Sequence, residues 1–147
     1  MRIYIASDHN GFRYKEDLIK FLTKLGHDVI DSGDTKMDPN DDFPKFASQA
    51  VIQLLGSDPM DRAILICGSG QGMCMAANRY KGIRASLCFN IAEARDVRND
   101  DNSNVLCLSA RQTSFQEMEH IITAWLNTPF AGAPRFVRRL QELDSLG

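Results

Sequence analysis

The chain has 147 residues, 44% hydrophobic and 24% charged, with a formal net charge of −2. That length fits one domain, residues 1–147, with a core large enough to be stable alone. The near-balanced charge gives no bulk electrostatic reason to expect a nucleic-acid or membrane partner, and no apolar run is long enough to span a bilayer.

The first element expected is a strand over Ile3–Ser7; Met1 runs directly into it, so no secretory leader is expected. A helix over about Phe12–Leu25 follows, in which Leu18, Phe21, Leu22 and Leu25 recur at steps of three and four and mark one buried face. Gly26 stands where a helix stop belongs. A short strand at Asp28–Asp31 leads into the polar stretch Gly33–Asp42, a loop with Pro39 that is long enough to line a site. Next come a helix over Pro44–Leu55, a strand over Ala63–Ile66 and a helix over Gly72–Tyr80. The rest alternates likewise: strand Ile83–Cys88, helix Ile91–Arg98, strand Val105–Leu108, helix Ser114–Leu126 and a helical tail. Apolar strands separated by helix-length segments predict a five-stranded parallel sheet covered on both faces.

One turn stands out. Ile64-Leu65-Ile66 delivers Cys67 to Gly68-Ser69-Gly70-Gln71-Gly72, and a helix follows at once. Such a strand–loop–helix turn aims several backbone N–H groups and the positive end of a helix dipole at one spot. It is a setting that favours a thiolate and could hold an anion. The bland alternative is an inert buried thiol, the usual fate of a free cysteine. The spacing G-x-G-x-G is not the dinucleotide G-x-G-x-x-G, and neither an acidic residue about 20 positions on nor a phosphate-loop lysine accompanies it.

The four cysteines, Cys67, Cys74, Cys88 and Cys107, lack C-x-x-C spacing and read as reduced thiols of a cytoplasmic protein. Three scattered histidines, His9, His27 and His120, give a metal site little to build on. In open parallel sheets, ligands bind beyond the carboxyl ends of the strands. Ser7-Asp8-His9-Asn10-Gly11, Cys67 with its glycines, and Ser109-Ala110-Arg111 all fall there.

These residues carry a specific likeness. The chain resembles the B-type ribose-5-phosphate isomerases and their galactose-6-phosphate isomerase relatives over nearly its whole length. The matching pieces are Ala6–Phe12, Val29–Gly33, Asp42-Phe43-Pro44, Ile64–Gly70, Ala76-Ala77-Asn78, Gly82–Ala85, Asn104-Val105-Leu106 and the arginine-rich tail. The resemblance implies a Rossmann-like three-layer α/β sandwich and aldose–ketose interconversion of a phosphorylated sugar through a cis-enediolate, with no metal or cofactor. It implies a homodimer or homotetramer with active sites shared between subunits. By position, Cys67 would be the base moving the proton between C1 and C2. Ser69 and the N–H groups of Gly68, Gly70, Gln71 and Gly72 would cradle the enediolate oxygens. Asp8 would hold sugar hydroxyls or help shuttle the proton between oxygens, against the plain alternative of a helix cap. His9, Arg111, Arg135 and Arg139 would clamp the phosphate, a task suited to guanidinium forks; the tail arginines alone would read as a solvated basic face.

Two departures bear on the substrate. Asp100-Asp101 stands where the ribose isomerases carry His-Asn, so the ring-opening histidine expected from the partner subunit is Asp100. The tail's Arg-His pair reads Arg135-Phe136. Three readings stand side by side: Asp100 shuttles the ring-opening proton, His9 takes that step, or the substrate has no ring, as in a tetrose or tetrulose phosphate. Asp100 and Asp101 would meet hydroxyls, because carboxylates beside a phosphate repel it. A galactose 6-phosphate isomerase, a non-catalytic phosphosugar binder and a flavin or nucleotide module are the competing functions.

Overall fold

The structure is a computed structural model describing residues 1–147. Five strands, β1 (Arg2–Ser7), β2 (Asp28–Asp31), β3 (Arg62–Cys67), β4 (Ala85–Leu87) and β5 (Val105–Ser109), form one parallel sheet in the order β2-β1-β3-β5-β4. Six helices surround it: α1 (Phe12–Lys24), α2 (Phe43–Leu55), α3 (Gln71–Ala77), α4 (Ile91–Asp101), α5 (Phe115–Asn127) and α6 (Pro134–Asp144). None of them is long and apolar enough to cross a membrane.

Period-two alternation in the central strands explains the two cores. Ile3, Ile5, Ile64, Ile66, Leu106 and Leu108 point to one face, where Leu18 and Leu22 of α1, Ala94 of α4 and Trp125 of α5 cover them. Tyr4, Ala6, Ala63, Leu65, Cys67 and Cys107 point to the other, against Phe46, Ala50 and Val51 of α2 and Met73 of α3. The expected three-layer sandwich is therefore present, with Cys67 on the α2–α3 side.

Three elements differ from expectation, the first being α3, which ends at Ala77 rather than Tyr80, where Asn78 caps it and a turn bonds Tyr80 N–H to Ala77 O. α4 runs on to Asp101 rather than stopping at Arg98, because Asn102 adopts a left-handed conformation (φ 50°) and its N–H caps Arg98 O. Arg98 pins that terminus by bonding Ser103 O at 2.6 Å and Thr128 O at 3.1 Å. β4 is three residues long, shortened by a turn at Gly82 (φ 88°) that leaves Ile83 N–H bonded to Tyr80 O. The expected stop at Gly26 is present, with φ 94°.

Two contacts position the loops above the sheet. Lys15 of α1 is wholly buried, and its Nζ donates to both Asp31 carboxylate oxygens (2.7 and 2.8 Å) and to Asp34 O (2.6 Å). It thereby ties the start of the 33–42 loop to α1. Gly11 ends a single 3-10 turn, His9–Gly11, pressed onto β3. A β-carbon there would lie 2.6 Å from Ile66 Cγ2 and 2.8 Å from Ile66 O. Gly11→Ala is expected to cost about 1–3 kcal/mol through overpacking. Urea unfolding should show a lower midpoint with an unchanged slope.

Candidate active site

The sheet order changes direction between β1 and β3, which makes the crevice above their carboxyl ends the expected ligand position. Asp8 and His9 leave β1 on one side of it, and Cys67 ends β3 on the other. The N–H of Asp8 bonds Ile66 O at 3.3 Å, holding the two turns together.

Cys67 is 4% exposed, and the N–H of Gly70 donates to its Sγ at 3.2 Å. Gly70 reaches that geometry with φ 76°, a conformation that glycine adopts without penalty. Any β-carbon on it would meet Leu87 Cδ1 at 2.5 Å. Gln71 N–H donates to Ser69 Oγ at 3.2 Å, whereas the N–H groups of Gly68, Ser69 and Gly72 donate to no acceptor within the chain. α3 has only seven residues, so these donors, more than any long helix dipole, define the loop's electrostatics. β5 braces the turn from behind: Gly68 O accepts from Ser109 Oγ (2.8 Å) and Arg111 N–H (3.0 Å). The Arg111 guanidinium lies over Gly68, where a β-carbon would come within 3.0 Å of its Cζ. Gly72 is equally close to the Phe43 ring, which brings the α2 N-terminus over the loop.

Asp8 is 6% exposed, and its Oδ1 caps the 3-10 turn by accepting from Asn10 and Gly11 N–H. The capping alternative is thus realised by one oxygen. His9 is held by a residue that sequence reasoning missed. Asp41 Oδ1 accepts from the His9 backbone N–H at 2.9 Å and from its Nδ1 at 2.7 Å. That hydrogen bond raises the His9 pKa above its ordinary value; burial opposes it, and the charges of Asp8, Asp41 and Asp38 reinforce it. Ligand-capable atoms of Asp8, His9 and Asp41 lie within 4.8 Å of one another, and the Oδ1 atoms of both aspartates are already engaged by N–H donors.

The remaining expected residues lie elsewhere in the subunit. Asp100 and Asp101 end α4, which delivers the chain to the amino end of β5, while Cys67 pairs with Ser109 at its carboxyl end. Four strand steps separate these edges, roughly 13 Å. α6 begins beside that same terminus, where Ala131 N–H bonds Asn99 O. Burial raises the Asp101 pKa, Asp100 adds to the rise, and Arg139 opposes it. Arg135 lies over the Phe136 ring at 4.4 Å. A cavity of 630 Å³, lined by Arg79, Arg84, Asp101, Ser103, Leu143 and Leu146 among others, opens at this edge, away from Cys67. One chain therefore brings together Asp8, His9, Cys67, Ser69, the glycines, Gln71 and Arg111, and leaves Asp100, Asp101, Arg135 and Arg139 apart.

A parallel α/β sheet with a buried thiol beside free backbone donors at its switch point defines the class of protein, an open α/β fold with a candidate enzyme site. The sequence matches the family described as Ribose/Galactose Isomerase over residues 3–143. A probable ribose-5-phosphate isomerase B of Mycoplasma pneumoniae is 44% identical over 130 residues, 88% of this chain and 85% of that protein. Ribose-5-phosphate isomerase B of Escherichia coli is 33% identical over 99% of this chain and 95% of its own length. Among solved structures, ribose-5-phosphate isomerase B from Mycoplasma genitalium with bound ribulose-5-phosphate superposes with a TM-score of 0.94 at 38% identity, covering 97% of this chain and 93% of that one. The chain belongs to the ribose/galactose isomerase family and is an aldose–ketose sugar-phosphate isomerase.

The thiols differ in environment. Cys74, half-buried on α3, is pulled down to about 7, first by the Cys107 thiol and then by Leu87 N–H, against the effect of burial. Burial pushes Cys88 up to about 12 and raises Cys107 well above its usual value. Iodoacetamide at pH 7.5 is expected to label Cys74 well ahead of Cys88 and Cys107, as read by peptide mass spectrometry. Equal labelling of the three would contradict these environments.

Proposed function

We propose that this chain interconverts ribose 5-phosphate and ribulose 5-phosphate, with Cys67 as the base that carries the proton between C1 and C2. The observation that carries the reading is the Gly70 N–H donating to Cys67 Sγ, with the Gly68, Ser69 and Gly72 donors free beside it. Removing a proton from carbon places negative charge on the neighbouring carbonyl oxygen. Backbone donors fixed in advance stabilise that oxyanion without reorganising at the moment of reaction. The thiolate takes the proton from one carbon as the enediolate forms, and the resulting thiol, open to exchange with solvent, delivers a proton to the other carbon, while Asp8 passes the hydroxyl proton from one oxygen to its neighbour, so no net acid is consumed. Ser69 adds a hydroxyl to the cradle, and the free side of the Asp8 carboxylate holds sugar hydroxyls. Similarity to proteins named ribose-5-phosphate isomerase B supports the choice of pentose phosphate.

The phosphate is gripped by His9 and Arg111 from one subunit and by Arg135 and Arg139 from a second copy, which also supplies Asp100 for ring opening and Asp101 for hydroxyls. Two features support a shared site. These residues occupy opposite edges of one sheet, and α6 has no buried residue while exposing Val137 and Leu143. Exposed Ile52, Leu55 and Met75 on α2 and α3 add apolar surface for a homodimer or homotetramer.

Asp100 in the histidine's place favours a second reading, an acyclic tetrose or tetrulose phosphate as substrate. NMR-detected isomerisation in D₂O over phosphorylated sugars from tetroses to hexoses, galactose 6-phosphate included, separates the two. Ribose 5-phosphate turnover with solvent deuterium entering the product is expected. Cys67→Ala should fold and lose at least 10³-fold in kcat, on the order of a general-base loss combined with a displaced cradle. Turnover of tetrose phosphates alone would transfer the assignment to the second reading; full activity of Cys67→Ala would remove the base.

A further inference from the structure

Asp41 is an acidic side chain only 4% exposed, and its sole hydrogen bonds go to His9. Its Oδ2 is buried without any partner. Burying a carboxylate is costly unless it is paired, so a carboxylate whose one partner is a histidine strongly favours the imidazolium form of that ring. The bond also fixes which nitrogen does what. A carboxylate only accepts, so Nδ1 of His9 must carry a proton, and Nε2 is left for a ligand. In a neutral ring Nε2 would then be an acceptor and would repel a phosphate oxygen. Only the charged ring offers Nε2–H as a donor.

The surrounding charge makes this matter. The groups facing His9 are Asp8 from the end of β1 and Asp38 and Asp41 from the 33–42 loop, all acidic. A dianionic ligand entering there meets three carboxylates on the His9 side of the site, opposite the arginines proposed to grip it, and a charged His9 offsets that acidic side. The Lys15 anchor on Asp31 and Asp34 fixes the start of the loop that carries Asp41.

We infer that Asp41 is a positioning residue for substrate binding, holding His9 as a charged donor with Nε2–H directed to the sugar's phosphate. This rests on the reading of the site as one for a phosphorylated sugar. Asp41 touches His9 and not the ligand, so its whole effect passes through the ring. The raised His9 pKa sets the pH window. Charge on His9 is complete well below 6.5 and, with Asp41 present, persists above it; it is lost as pH rises through the raised value. Without Asp41 the loss begins about where an ordinary histidine titrates, near 6.5.

The test is a double-mutant cycle with Asp41→Asn, His9→Gln and the double variant. Affinity for inorganic phosphate is read by calorimetry, and KM and kcat for the sugar phosphate are read at pH 6.0 and 7.5. Asp41→Asn should weaken phosphate binding and raise KM about tenfold at pH 7.5 and by less than threefold at pH 6.0, with the loss in KM rather than kcat. Comparing variants at each pH cancels the ionisation of the phosphate itself. In the His9→Gln background Asp41→Asn should add nothing, because the residue it acts through is gone. An equal penalty in both backgrounds, or one independent of pH, would overturn the inference while leaving the proposed reaction intact. A wild-type protein that neither binds phosphate nor turns over any phosphorylated sugar would overturn both.

Discussion

The hydrogen bond from Gly70 N–H to Cys67 Sγ depends on every layer of the fold, and the proposed chemistry depends on it. It requires β3 to end inside the sheet, so that Cys67 is delivered buried rather than exposed. It requires a left-handed residue two positions beyond Gly68, with Leu87 and the Leu108 backbone pressed so close that no side chain fits. It requires β5 alongside, because Ser109 and Arg111 hold the Gly68 carbonyl away from the crevice and leave its N–H turned free. A thiol held this way faces donors that were ordered when the protein folded, and the reaction need not order them again.

The parallel sheet imposes a second constraint. Every strand discharges at one edge and every crossover helix returns the chain to the other. Residues that follow strands therefore gather around Cys67, and residues that end helices gather roughly a strand's length away. Asp8, His9, Asp41 and Arg111 belong to the first group; Asp100 and Asp101 belong to the second, and Arg135 and Arg139 lie on α6, whose approach bonds Ala131 N–H to Asn99 O beside that helix end. In the proposed function the second group serves a site by being presented to another copy. The amphipathic α6, with no side chain buried in its own subunit, is the element that carries such residues outward.

Much of this was legible in the residues themselves. Uninterrupted apolar runs at Ile3–Ala6, Ala63–Ile66 and Val105–Leu108 mark strands covered on both faces, and these bounds hold to within a residue or two. The glycine turn announces itself by spacing, because a chain rarely places glycine at alternate positions without a backbone reason. α4 was harder to bound: Asn99-Asp100-Asp101-Asn102 looks like a loop, and only the buried Arg98 and the left-handed Asn102 cap keep the helix going. The His9–Asp41 pair left no trace in sequence. Thirty-two positions separate the partners, one of them lies in a polar loop with several other aspartates, and no periodicity links them. Contacts set by tertiary folding of a loop have no local signature.

Subunit complementation tests the divided site most directly. Cys67→Ala damages the carboxyl-edge half, and Arg135→Ala with Arg139→Ala damages the amino-edge half; each protein alone should be nearly inactive. Unfolded together and refolded at equal concentration, random pairing makes half the dimers mixed, each with one intact site, for about a quarter of wild-type activity. Recovery near that level is the predicted result. A mixture no more active than its separately refolded components would contradict the account and confine the whole site to a single chain.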